Sequence, residues 1–261
     1  MKFFDSHAHY YDERFSEELD EGVDSLIDTL FQENASYIIN VGTSPETSRA
    51  AIAQAVRYEN MYTAIGIHPS DTRFIADMDK ALADIKGLIT DNKNKCVAIG
   101  EIGLDHHYPD TDKTKQAAYF EAEMRLAEEL ALPVVIHDRE AHGDIMEVIR
   151  LHPTVRGVLH SFSGSAEMAE ELISLGYMIS FSGTLTFTNA RRPREVAARI
   201  PRECVLIETD CPYLAPHPHR GKLNHSGYLE YTADVLADIW GVSVEECAKI
   251  TEDNARRFFG I

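Results

Sequence analysis

Near its N-terminus the chain reads Phe3-Phe4-Asp5-Ser6-His7-Ala8-His9. Side chains alternate between the faces of an extended strand, so Asp5, His7 and His9 share one side and two imidazoles leave the strand end together. Neutral imidazole is a ligand for zinc, manganese, iron, nickel or cobalt. A His-x-His pair alone is a weak signal. It sharpens because later strand-like segments each end in another donor: Glu101 in Gly100-Glu101-Ile102-Gly103, His137 after Val134-Val135-Ile136, His160 after Val158-Leu159, and Asp210 after Ile207-Glu208-Thr209. Taken singly, a strand-end histidine is ordinarily satisfied by a neighbour and an acid after a strand is often a helix cap. Six such residues at equivalent strand ends form a ligand set. Four imidazoles and two carboxylates suffice for two divalent cations with one carboxylate shared, and such a pair activates water for hydrolysis.

Something must bring these strand ends to one place. Short apolar runs alternate with stretches whose apolar residues recur at helical spacing, such as Val23, Leu26, Ile27, Leu30 and Phe31, which predict a helix over 17–34. A second helix is expected from Pro45 to about Tyr58, with proline in its first turn. Eight strands are expected, the last over Cys204–Asp210. Apolar strands alternating with helices argue for a parallel sheet buried on both faces. Eight units in 261 residues fit a (β/α)8 TIM barrel of one domain, 1–261, with the metal site at the C-terminal mouth of the strands. An open doubly wound sheet is the alternative, and no G-x-G-x-x-G or P-loop lysine supports it.

Composition narrows the class. With 44% apolar and 26% charged residues, and no apolar run near the roughly 20 residues of a membrane span, the chain is expected to be soluble and away from membranes. The start Met1-Lys2-Phe3-Phe4-Asp5 lacks the longer apolar core of an export signal. Four scattered cysteines without a C-x-x-C pair fit a reducing, cytoplasmic setting, with Cys96 and Cys204 expected as small buried residues. A net charge of −18 argues against tight coating of duplex DNA, whereas brief contact with a phosphodiester end is compatible with it because bound cations supply local positive charge. No obligate protein partner is inferred.

The ordered segments His7-x-His9, Gly66-Ile67-His68-Pro69, Gly100-Glu101-Ile102-Gly103-Leu104-Asp105, Val135-Ile136-His137-x-Arg139-x-Ala141, His160-x-Phe162-x-Gly164 and Glu208-Thr209-Asp210-x-Pro212-Tyr213-Leu214 resemble the TatD family of metal-dependent deoxyribonucleases. The resemblance implies a TIM barrel, two divalent cations (Mg, Mn, Zn, Co or Ni) and hydrolysis of DNA phosphodiesters, exonucleolytic on single strands or ends. A carboxylic ester, amide or lactone hydrolase, such as a D-aminoacyl ester deacylase, is the alternative for the same site. Carried over by position, His7, His9, Glu101 and Asp210 would hold one cation, and Glu101, His137 and His160 the other. Asp210 would accept the proton of the attacking water, with Glu101 as its bridging catalytic partner. Glu208 and Asp5 are expected behind the ligands, and His68, Arg139, His219 and Arg220 on the substrate side. Arg139 has the planar fork that suits phosphate. Leu223 and Asn224-His225-Ser226-Gly227 depart from the family's usual pattern after the last strand. Arg191, Arg192 and Arg194 form a basic cluster, and Phe74 and Tyr108 are aromatic residues on mouth loops, for which packing is the commoner fate.

Overall fold

The computed structural model describes residues 1–261. Eight strands, β1 (Phe3–Ala8), β2 (Ala35–Val41), β3 (Met61–Ile65), β4 (Cys96–Asp105), β5 (Val134–Arg139), β6 (Gly157–Leu159), β7 (Met178–Phe181) and β8 (Val205–Ile207), form one sheet in sequence order. The pairs are parallel, and helices intervene: α1 (Glu13–Glu18), α2 (Gly22–Glu33), α3 (Pro45–Ala55), α4 (Met78–Asp91), α5 (Lys113–Leu130), α6 (His142–Leu151), α7 (Ala166–Ser174), α8 (Arg191–Arg199), α9 (Leu229–Trp240) and α10 (Val244–Phe259). The fold is the (β/α)8 TIM barrel. No helix is long and apolar enough to cross a membrane.

The chain packs as two compact units, one of residues 1–40, 160–174 and 178–261, the other of residues 41–159 and 175–177. In the first, the chain past β8 returns to β1: Ala8 bridges Cys211, the His9 amide donates to the Cys211 carbonyl at 2.8 Å, and the Asp210 amide donates to the His7 carbonyl at 2.9 Å. Phe4 stacks on Tyr37 and on Phe259, centroids 5.4 and 6.0 Å apart, which seats α10 against β1. Asn254 Nδ2 donates to the carbonyls of Arg202 and Val205, at 2.8 and 2.9 Å, and so ties α10 to the start of β8.

In the second unit β4 is the long central strand, buried along all ten residues between β3 and β5. Its helix α5 buries Tyr119, Phe120, Glu123 and Met124. Glu123 is the exception to the apolar rule: Oε1 accepts the Ile67 amide at 2.7 Å, while Oε2 is buried without a partner. Burial drives the Glu123 carboxyl well above its ordinary value of 4.5, against the pull of the Ile67 amide. The folded chain therefore holds this proton at pH values where the unfolded chain releases it. The stability it supports is complete below the ordinary pKa and is lost as the pH rises towards the folded value. Glu123→Gln, permanently neutral, is expected to be nearly neutral at pH 4 and stabilising by about 1–3 kcal/mol at pH 8. Thermal denaturation at both pH values checks this, and an equal shift at each would refute it.

Three expectations change. The predicted helix 17–34 is two helices, because Leu19 turns extended at the end of α1 and Gly22, at φ 77, restarts the chain as α2. The second helix stops at Ala55, its start closed by a Ser44–Thr47 capping box. The last strand is only Val205–Ile207: Cys204 lies in a half-buried 3-10 turn rather than in the core, and after Glu208, whose amide still donates to the Phe181 carbonyl at 3.1 Å, Thr209 and Asp210 leave the ladder. The physical reason is that Thr209 and Asp210 spend their amides on Asp5 Oδ1 and the His7 carbonyl, which pulls the chain out of the strand and leaves Asp210 at φ 57.

Candidate metal centre

Two clusters of ligand-type side chains stand at strand ends, one in each unit. In the first, His7 from β1, His160 just after β6 and Asp210 after β8 each offer a donor atom within 4.8 Å of the others. His9 joins them: its Nε2 lies 3.0 Å from His7 Nε2 and 3.3 Å from Asp210 Oδ1, while His7 Nε2 lies 3.7 Å from the same oxygen. The rings of His7 and His160 stack at 4.2 Å, 17° from parallel. Burial works to raise the Asp210 carboxyl, but the hydrogen bond from His9 and the neighbouring His160, His7 and His9 outweigh it and hold the group below the usual carboxylate range.

The side chains behind this cluster set its geometry. Glu208 Oε1 accepts the Ser161 amide at 2.7 Å and sits 3.2 Å from His160 Nδ1. That contact assigns the ring proton to Nδ1 and the lone pair to Nε2, the form that binds a cation. Tyr11 Oη holds His9 Nδ1 at 3.1 Å. Asp5 takes donors from the Thr209 hydroxyl at 2.6 Å, the Ser226 hydroxyl at 2.7 Å and the Thr209 amide at 2.9 Å. Burial pushes the Asp5 carboxyl up to about 6, with the Thr209, Ser226 and His7 hydrogen bonds opposing. With its oxygens so occupied, Asp5 joins the end of β1 to the start of the loop after β8.

The second cluster comprises His68, Glu101 and His137, again with donor atoms within 4.8 Å. Glu101 Oε1 is 2.8 Å from His137 Nδ1 and 3.5 Å from His68 Nε2, and the two rings meet edge to face at 4.4 Å. His68 thus stands among the ligand-type groups rather than apart on the substrate side. Its Nδ1 accepts the Ser70 amide at 3.1 Å, which caps the 3-10 turn of residues 69–74 and turns the ring inward. Asp105 is a member that sequence reasoning passed over: Oδ2 lies 3.4 Å from His137 Nε2. Burial raises its carboxyl, but His137, the His107 amide and Arg139 outweigh this and leave it below the usual range. Its signal was present, since Asp105 follows Glu101 by four residues in the same strand. Arg139 Nη1 is 4.0 Å from Asp105 Oδ2, and its guanidinium lies 5.5 Å over the Tyr108 ring.

The remaining expected residues are not members of either cluster. His219 stacks flat on Tyr228 at 4.1 Å with Nε2 3.0 Å from Tyr231 Oη, and Arg220 lies over Phe187 at 4.2 Å. Arg191, Arg192 and Arg194 are exposed on α8. Phe74 and Tyr108 are 74% and 49% exposed, so neither is packed away.

The donor chemistry fits divalent cations. Imidazole nitrogen with carboxylate oxygen suits zinc, manganese, cobalt or nickel, and the carboxylates extend the range to magnesium. In the first cluster His7, His9, His160 and Asp210 would hold a cation; in the second, Glu101 and His137 with His68 or Asp105.

The profile of the family described as TatD related DNase matches residues 4–260. The chain is 40% identical over 260 residues to the uncharacterized metal-dependent hydrolase YabD of Bacillus subtilis, covering 99% of each. It is 34% identical over 263 residues to the uncharacterized metal-dependent hydrolase YcfH of Escherichia coli K12, covering all of this chain and 97% of that one. Among solved structures, YJJV, a TatD homolog from Escherichia coli K12, superposes with a TM-score of 0.91 at 28% identity, over 99% of this chain and 98% of its own.

Proposed function

Because the chain belongs to the TatD family and is a metal-dependent hydrolase, we propose that it cleaves the phosphodiester bonds of DNA, acting on ends or single strands, with one divalent cation at each cluster. The observation that carries this reading is the convergence of Asp210 Oδ1 with His7 and His9 Nε2, at 3.7 and 3.3 Å, beside His160 at the strand ends. When bound, the cations supply Lewis acidity towards the phosphoryl oxygens and ease the loss of a proton from water. The chain's own residues do the rest. The Asp210 carboxylate would accept the proton of the attacking water as the water oxygen adds to phosphorus and the bond to the leaving nucleoside oxygen breaks, the leaving alkoxide taking its proton from solvent. Glu208, through His160, and Tyr11, through His9, keep the imidazoles in one orientation so that no reorganisation is needed at the moment of reaction. Arg139, 45% exposed, offers its fork to a non-bridging phosphate oxygen beside the second cluster.

The preference for ends and single strands follows from charge and exposed aromatics. A net charge of −18 disfavours the many phosphate contacts of a tracked duplex, whereas Phe74 and Tyr108 are exposed rings, each beside an arginine, on which unstacked bases can stack. All four cysteines are free thiols, which accords with a reducing, cytoplasmic compartment.

A substrate panel tests the proposal: a 3′-labelled single-stranded oligonucleotide, a D-aminoacyl ester and a lactone, each with Mg, Mn, Co or Zn. The expected result is metal-stimulated cleavage of the oligonucleotide, read as a ladder or as release of the labelled terminal nucleotide, that EDTA abolishes. Turnover of the ester or lactone with an intact oligonucleotide would overturn it in favour of carbonyl chemistry.

A further inference from the structure

The loop after β8 does more than carry Asp210. Residues 212–215 and 220–222 line, together with Arg14 and Phe187, an open groove of about 300 Å³ whose side chains include Tyr213, Leu214, Arg220 and Lys222. It opens next to the first cluster: the Tyr213 amide donates to the Asp210 carbonyl at 2.9 Å, and the Tyr213 ring lies 6.3 Å from that of His9.

Three cationic side chains meet here in a chain with only 25 lysines and arginines against 43 acids. Arg14 is committed to structure, since Nε and Nη2 donate to Glu18 Oε1 and Nη1 donates to the Pro212 carbonyl. Arg220 and Lys222 differ. Neither is ion-paired with a carboxylate, and the Arg220 guanidinium lies over the Phe187 ring at 4.2 Å. A guanidinium held on a ring is positioned without using up its planar fork of donors, which matches an oxyanion bidentately, and a nearby ammonium adds a point charge. Tyr213 is fixed through its hydroxyl, which donates to Asp12 Oδ2 at 2.6 Å, yet the residue is 45% exposed. An immobilised, open ring is a surface on which a base stacks.

We propose that this groove is a nucleotide subsite, in which Arg220 and Lys222 hold the phosphate next to the scissile one and Tyr213 takes the base. Its volume is at the lower end of small-ligand pockets, a size that suits about one nucleotide. As a substrate subsite it rests on the phosphodiesterase reading; as a phosphate site it is read by binding alone.

The binding test is calorimetry of thymidine 5′-monophosphate and of thymidine against the full chain in EDTA, where added cations play no role. Thymidine 5′-monophosphate is expected to bind at least tenfold more tightly than thymidine and to lose at least tenfold in Arg220→Ala/Lys222→Ala, with affinity falling as salt rises. Arg220→Lys, which keeps charge without the fork, is expected to lose less than Arg220→Ala. Equal affinity for the two ligands, or for wild type and double variant with its circular dichroism unchanged, overturns the groove. Kinetics separate the two proposals: on the oligonucleotide the double variant is expected to raise KM more than tenfold while kcat changes less than threefold. Normal cleavage with an unchanged KM removes the groove and keeps the phosphodiesterase. Phosphate-dependent nucleotide binding in a protein that cleaves no phosphodiester keeps the phosphate site and removes the phosphodiesterase.

Discussion

Asp210→Asn is expected to lower kcat on an oligonucleotide by about 10²–10⁴-fold, the range over which a positioned general base contributes. Asparagine matches aspartate in size and tolerates the left-handed conformation that residue 210 adopts at φ 57, so the backbone has no reason to move. What changes is charge. The carboxylate that His9, His7 and His160 hold below its usual range becomes an amide that takes no proton and balances no cation. Three imidazoles would remain to hold a cation, so some metal affinity should survive, and kcat is expected to fall further than bound metal does. Steady-state kinetics beside metal analysis by mass spectrometry separates the two effects. Activity within tenfold of wild type at full metal occupancy would remove Asp210 from the chemistry.

Gly103→Ala should be the most damaging single methyl group in the chain. Gly103 pairs with His137 across the β4–β5 step at φ 129, a conformation that side-chain-bearing residues rarely adopt. A Cβ there would stand 2.1 Å from the His137 carbonyl oxygen and 3.1 Å from its carbon and nitrogen. These neighbours are backbone, so no rotamer change relieves them. The two strands are forced away from each other close to Glu101 and at His137 itself, which strikes stability and the second cluster together. The expected cost is about 3–5 kcal/mol, a fall in melting temperature of roughly 10 °C, with metal-dependent activity lost even well below the transition. Gly87→Ala is the matched control: it lies inside α4 with nothing within 4 Å of the added carbon, and a gain of about 0.5–1 kcal/mol is expected. Equal melting temperatures for Gly103→Ala and wild type would contradict the packing described.

Local chemistry explains how much could be read in advance. Apolar runs of strand length, separated by helical periodicity, announced the parallel sheet because both patterns depend on near neighbours. The ligand-type residues were legible for the same reason: each stands at the end of its own run, where a barrel places reactive groups. The break between α1 and α2 was not, because apolar spacing continues across Leu19 while the backbone turns there. Nor was the short β8, whose end is set by Asp5, a side chain 204 residues away from Thr209.

Residue types and their order were thus enough for the barrel and for picking out the ligand-type groups that stand at its strand ends. Folding alone decided the partnerships: His68 and Asp105 with His137, Glu208 beneath His160, His219 between two tyrosines, Arg220 over Phe187. A strand's pattern depends on bonds between neighbours in the chain. Which side chains meet depends on strand register and loop path, set by the packing of segments tens to hundreds of residues distant from one another.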